Sequence, residues 1–88
     1  MSDREKLSLY EYSSCPFCQR VRSCLRSLGE SVESRDVTAN REYLDELVAA
    51  TGSRMVPCLR IESSEGEVRW LPESADIIDY LKRHFDNS

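Results

Sequence analysis

Long apolar runs, a basic excess and a second close cysteine pair are all missing from this chain, and each absence removes a class of function. Without an extended apolar stretch there is no candidate membrane span. The net charge of -4 argues against a nucleic-acid module, which carries a basic face. Glycine and proline are scarce, three of each in 88 residues, and no repeat, linker or low-complexity segment is visible. The opening Met1-Ser2-Asp3-Arg4-Glu5-Lys6 is polar and leads into no signal-peptide core. The expectation is therefore a single cytoplasmic domain over residues 1–88 that binds neither nucleic acid nor membrane. With 40% apolar residues the chain can bury a modest core.

Four cysteines in a reducing compartment do not form a disulfide framework. Two of them stand close together in Cys15-Pro16-Phe17-Cys18, while Cys24 and Cys58 stand alone. Zinc sites use the same two-residue spacing, but a closed site needs four Cys or His ligands. Cys24, Cys58 and His84 offer no second close pair, so no metal is expected and redox chemistry is the better reading.

The surroundings of the pair favour that chemistry. Lys6 to Tyr12 alternates Leu7, Leu9 and Glu11 with Ser8, Tyr10 and Tyr12, a strand pattern. Pro16 suits the first turn of a helix, where its missing N–H is not needed. Phe17, Val21, Cys24, Leu25 and Leu28 then recur at helical spacing up to Gly29. Cys15 thus falls at a helix N-terminus, where unpaired N–H groups and the helix dipole stabilise a thiolate. Cys18, one turn in and on the inward face, should be the less exposed of the two. The asymmetry assigns Cys15 as nucleophile and Cys18 as resolving thiol. Arg20 and Arg22 read as solvated surface charges.

Beyond Gly29 the pattern predicts a strand over 31–37 and a helix capped by Asn40. Leu44, Leu47, Val48 and Thr51 form that helix's inward face, and Gly52 ends it. Cys58 to Ile61 and Val68 to Leu71 read as a hairpin, and a last helix follows Pro72-Glu73-Ser74, with Ser74 in the capping position. The order β-α-β-α-β-β-α implies an α/β fold: a four-stranded mixed sheet, its first two strands parallel, with helices on both faces.

With Cys15-Pro16-Phe17-Cys18, Val56-Pro57 and Pro72-Glu73-Ser74 in this order, the chain resembles a glutaredoxin of the thioredoxin fold. Its later part, Arg69 to Leu81, looks more like the branch containing glutathione transferase N-terminal domains. The resemblance runs from about Leu7 to Phe85. It implies a glutathione-dependent thiol–disulfide oxidoreductase, a monomer, acting on glutathionylated or disulfide-containing proteins. It also implies a cis Val56–Pro57 bond, with the Val56 backbone pairing to the cysteinyl unit of glutathione. Phe17 and Met55 would flank the ligand, Glu73 would meet its γ-glutamyl ammonium, and Ser74 would receive its carboxylate. Arg54 is a further candidate for its glycyl carboxylate. Leu71-Pro72 stands where the usual glutaredoxin has Gly-Gly, and Glu11 to Ser14 occupy the region where many carry a lysine. Cys58 reads as a small buried hydrophobe.

Two alternatives remain. One is glutathione transfer to electrophiles. The other is a glutathione-binding module without efficient disulfide reduction, which either docks a partner through the glutathione groove or dimerises around an iron–sulfur cluster held by Cys15 and two glutathiones. Pro16 argues against the cluster.

Overall fold

The computed structural model describes residues 5–86; the polar opening Met1 to Arg4 lies outside them. Strand β1 (Lys6–Glu11) runs into helix α1 (Pro16–Leu28), then β2 (Glu33–Asp36) and α2 (Arg41–Thr51). The hairpin β3 (Cys58–Glu62) and β4 (Val68–Leu71) leads to α3 (Ser74–Asp86). The strands lie in the order β2-β1-β3-β4, with β1 parallel to β2 and antiparallel to β3. This is the thioredoxin-like α/β arrangement that the element order implies.

The central strand β1 separates two cores by simple alternation. Leu7 and Leu9 face α1 and α3, where Val21, Leu25, Ile77 and Leu81 close over them with Leu59 and Ile61 of β3. Tyr10 faces the other way, toward Leu47 of α2, Val37 and Cys58. Both layers are needed, because a sheet this small buries its strands only when covered on both faces. Each fully buried Leu, Ile or Val contributes at most about 1.5–3 kcal/mol of transfer free energy.

Helix boundaries follow the expected signals. Gly29 ends α1 at φ 70°, in the left-handed region, and its N–H reaches the Arg26 carbonyl at 3.1 Å. Asn40 caps α2, its side chain accepting from Glu42 N–H at 2.9 Å. Four details differ from the sequence reading. Strand β2 is shorter than 31–37, because only Glu33 to Asp36 pair with β1. Val48 is exposed, since it lies 100° around the helix from buried Leu47. Thr51 is exposed too, and its hydroxyl donates back to the Leu47 carbonyl at 2.8 Å. Ser74 is the first residue of α3 rather than its cap, because Ile77 N–H already donates to the Glu73 carbonyl at 2.8 Å.

Among the described residues no helix is long and apolar enough to cross a membrane.

Candidate functional site

Strand β1 ends at Glu11, and the short stretch Tyr12 to Ser14 delivers the chain to Cys15. Cys15 has extended backbone angles (φ -78°, ψ 119°) and is the N-cap of α1. Its carbonyl accepts the first helical bond, from Gln19 N–H at 3.0 Å. Pro16 fills the opening turn. N-caps are usually Ser, Thr, Asp or Asn, whose side-chain oxygen takes an orphan N–H. Here sulfur does so: Cys18 N–H points at Cys15 Sγ from 3.3 Å. The Val56 carbonyl lies 3.9 Å from the same sulfur, close enough to accept from a thiol there.

Those two contacts explain a departure from the sequence reading. Cys15 does occupy the helix end, but it is only 3% exposed, not open to solvent. Its sulfur is turned inward, between the α1 N-terminus and the segment carrying Val56. The order of the two thiols holds, because Cys18 is completely buried. Burial, with the Cys15 hydrogen bond second, pushes the Cys18 thiol up to about 12, while a backbone hydrogen bond from Tyr12 works the other way. Cys58 is also fully buried, and that burial pushes its thiol up to about 11. This matches its reading as a small hydrophobe. Cys24 is partly buried against the α1–α3 core.

The Val56–Pro57 peptide bond is cis, as the resemblance implies. Among the described residues the Val56 N–H has no hydrogen-bond partner. A cleft of about 190 Å³ opens here, lined by Phe17, Met55, Val56, Pro57, Pro72, Glu73 and Ser74. The fold therefore brings together three separate stretches: the start of α1, the loop before β3, and the turn from β4 into α3. Phe17 is 55% exposed and Met55 68%, so both stand as apolar surfaces at the cleft. Phe17 thus leaves the inward row of α1 in which its spacing put it. Met55 and Glu73 also line an adjoining cleft of about 250 Å³ with Thr51, Ser53, Cys58 and Pro72. Arg54 is exposed and lines neither cleft. A larger cleft, about 500 Å³, lies beside α2 around Tyr10, Arg35, Glu46 and Trp70.

One feature of the site escaped the sequence pattern. Glu11 is 5% exposed, and its carboxylate is bound by Arg22 of α1 and by the Ser34 hydroxyl. Arg22 is therefore an ion-pair partner rather than a free surface charge. The alternation of Leu7, Leu9 and Glu11 was the available signal, because it puts the acid in an otherwise apolar row.

Among the described residues no group of three or more His, Cys, Asp or Glu is placed to hold a metal ion.

Comparison with known proteins agrees with this fold. Residues 9–88 match the family described as glutathione S-transferase, N-terminal domain. Glutaredoxin 3 of Escherichia coli is 26% identical over 57 residues, covering 65% of this chain and 69% of its own. The trimeric glutathione transferase TDR1 of Leishmania superposes with a TM-score of 0.73 at 28% identity, over 89% of this chain but 17% of that one. A maleylacetoacetate isomerase from Anaeromyxobacter dehalogenans, with glutathione bound in its active site, superposes with a TM-score of 0.69 at 27% identity. It covers 97% of this chain and 40% of its own. This chain therefore spans less than half the length of these solved relatives. The chain belongs to the glutathione S-transferase N-terminal domain family.

Proposed function

We propose that this chain is a glutathione-dependent thiol–disulfide oxidoreductase of the glutaredoxin type. The observation that carries the reading is the placement of Cys15 Sγ. It caps α1, receives the Cys18 N–H at 3.3 Å and lies 3.9 Å from the carbonyl of Val56, a residue that lines the cleft.

In the proposed reaction the Cys15 thiolate attacks the glutathione sulfur of a protein–glutathione mixed disulfide. A new S–S bond joins Cys15 to glutathione, and the protein leaves as a thiolate that takes up a proton. A second glutathione thiolate then attacks the bound glutathione sulfur, releasing Cys15 and glutathione disulfide. The net reaction is a disulfide exchange: the incoming glutathione sulfur loses one electron, the protein sulfur gains one, and the bound glutathione stays at the disulfide level throughout. With protein disulfides Cys18 takes the second step, forming Cys15–Cys18 and freeing the reduced substrate, and two glutathiones then restore the dithiol and leave as glutathione disulfide.

Glutathione would lie in the cleft between Phe17 and Met55. Its cysteinyl backbone would pair with the free N–H and the carbonyl of Val56 beside Pro57, as one added strand. Glu73 would hold the γ-glutamyl ammonium, and Ser74 with the α3 N-terminus would receive the γ-glutamyl carboxylate. The glutathione-bound isomerase that shares this fold supports glutathione as the ligand. Residues 1–88 are taken to act as one monomeric domain in the cytoplasm, where glutathione is reduced and Cys15 stays a thiol.

A glutathione-dependent disulfide reduction assay tests the assignment on wild type, Cys15→Ser and Cys18→Ser. Cys15→Ser should abolish turnover, and Cys18→Ser should keep removal of glutathione from mixed disulfides while losing reduction of protein disulfides. Activity surviving in Cys15→Ser would overturn the nucleophile. The family match favours a second reading, conjugation of glutathione to electrophiles. Strong conjugation of chlorodinitrobenzene with weak disulfide reduction would put that reading first.

A further inference from the structure

In β1 the residues facing α1 are Leu7, Leu9 and Glu11, two core side chains followed by a buried carboxylate. An acid in that row is tolerated only if its charge and both oxygens are matched. Both are. Arg22 Nη1 binds Oε1, and the Ser34 hydroxyl binds Oε2. The guanidinium also reaches the loop that precedes the dithiol, with Nη2 donating to the Ser13 carbonyl at 3.2 Å. Cys15 N–H fastens the same loop to the Tyr12 carbonyl at 3.2 Å. On α1, Arg22 stands one turn beyond Cys18 and two beyond Cys15, on their side of the helix.

The pair therefore lies one helical turn from Cys18 and braces the loop that leads into Cys15. Burial and the Cys15 hydrogen bond act most strongly on the Cys18 thiol, and the Glu11 charge adds to them in the same direction. A carboxylate there opposes a second negative charge on Cys18, and removing its Arg22 partner would strengthen that opposition.

We propose that Glu11 and Arg22 form a charge-balanced clamp beside the dithiol, positioning residues that govern how readily Cys18 closes onto Cys15. The inference rests on the oxidoreductase reading for its purpose. In the step concerned, Cys18 loses its proton and its thiolate attacks Cys15 of a mixed disulfide. The Cys15–Cys18 bond forms, and the departing thiolate leaves with the electron pair of the old bond and takes a proton. Because glutathione can resolve the mixed disulfide without Cys18, the clamp would set the balance between the two routes.

Alkylation of Cys18 tests the clamp without any turnover. Iodoacetamide labelling of the reduced full chain is followed by mass spectrometry in a Cys15→Ser background. Arg22→Met should slow Cys18 labelling about tenfold, Glu11→Gln should speed it severalfold, and the double variant should return to within about threefold of the parent. Opposite signs from the two single variants are the signature, because a merely structural contact would shift both the same way. Shifts of the same sign, or none, would overturn the proposal. If Arg22→Met fails to fold by far-UV circular dichroism, Glu11→Gln and Arg22→Lys carry the test. The lysine keeps the charge and should stay near the parent. In chains that keep Cys15, Arg22→Met should lower protein-disulfide reduction relative to removal of glutathione from mixed disulfides. A wild-type chain with no glutathione-dependent turnover would refute the oxidoreductase reading, whereas the labelling order would still decide the clamp.

Discussion

Glu73 and Ser74 show how a residue's surroundings separate binding from folding. Among the described residues neither side chain has a hydrogen-bond or ion-pair partner, although both line the cleft beside Val56 and Pro57. Ser74 does not cap α3, because the Glu73 carbonyl already takes the Ile77 N–H. That leaves the Ser74 hydroxyl free for a ligand carboxylate. Replacing Glu73 by Gln should therefore cost little stability. If Glu73 holds the γ-glutamyl ammonium as proposed, the change removes one charge-assisted contact and should raise KM for glutathione about tenfold with kcat near wild type. Steady-state kinetics at varied glutathione would check this. An unchanged KM would mean that the γ-glutamyl end is not held there. Cys15 makes the complementary point. Its place at the helix end was legible from Pro16 and the helix that follows, but its inward orientation was not. That orientation depends on the Val56 carbonyl, 41 residues away in the chain, and no local pattern encodes that contact.

At the scale of elements, the parts that could be read were those fixed by nearby chemistry. Gly29, Asn40, Gly52 and the hairpin turn at Ser63 to Glu67 each mark an end through bonds within a few residues. The shortened β2 and the exposed Val48 were not readable in this way. The first depends on how far β1 offers partners, and the second on which side of α2 meets the sheet. Glu11 lay between these cases, since its place in the row was visible but its partner on α1 was not. Asn40 offers a direct check on the local class. Asn40→Ala leaves the Glu42 N–H without its side-chain acceptor and should cost about 1 kcal/mol. For a domain of this size that is roughly a 4–8 °C fall in Tm, measurable by circular dichroism. The dithiol lies on the other side of the sheet from α2 and should keep its labelling pattern at temperatures below the transition.

For the molecule as a whole, the buried acids decide how stability responds to pH. Burial is the first cause pushing up the thiols of Cys18 and Cys58 and the phenol of Tyr10, and it also raises Tyr80. Each group is neutral while it keeps its proton. In the unfolded chain a cysteine ionises near its ordinary value of 9.0, whereas in the fold Cys58 holds its proton to about 11 and Cys18 to about 12. Between those values the folded state binds more protons than the unfolded state, so the stability of folding falls as pH rises. The contribution is complete below pH 9.0 and is lost progressively toward pH 12. On the acid side the lowered groups are Glu33 and Asp36, whose stabilisation disappears as pH falls. Both lie on edge strand β2, where solvent screens such contacts and makes them small. The alkaline limb should therefore be the steeper one. Urea unfolding in the presence of reductant should show a falling midpoint as pH climbs from 9.0 to about 11. Cys58→Ala should reduce that slope while lowering stability at neutral pH through the small cavity it leaves. A midpoint that held constant or rose across the same interval would show that these groups are not protonated in the fold as their burial requires.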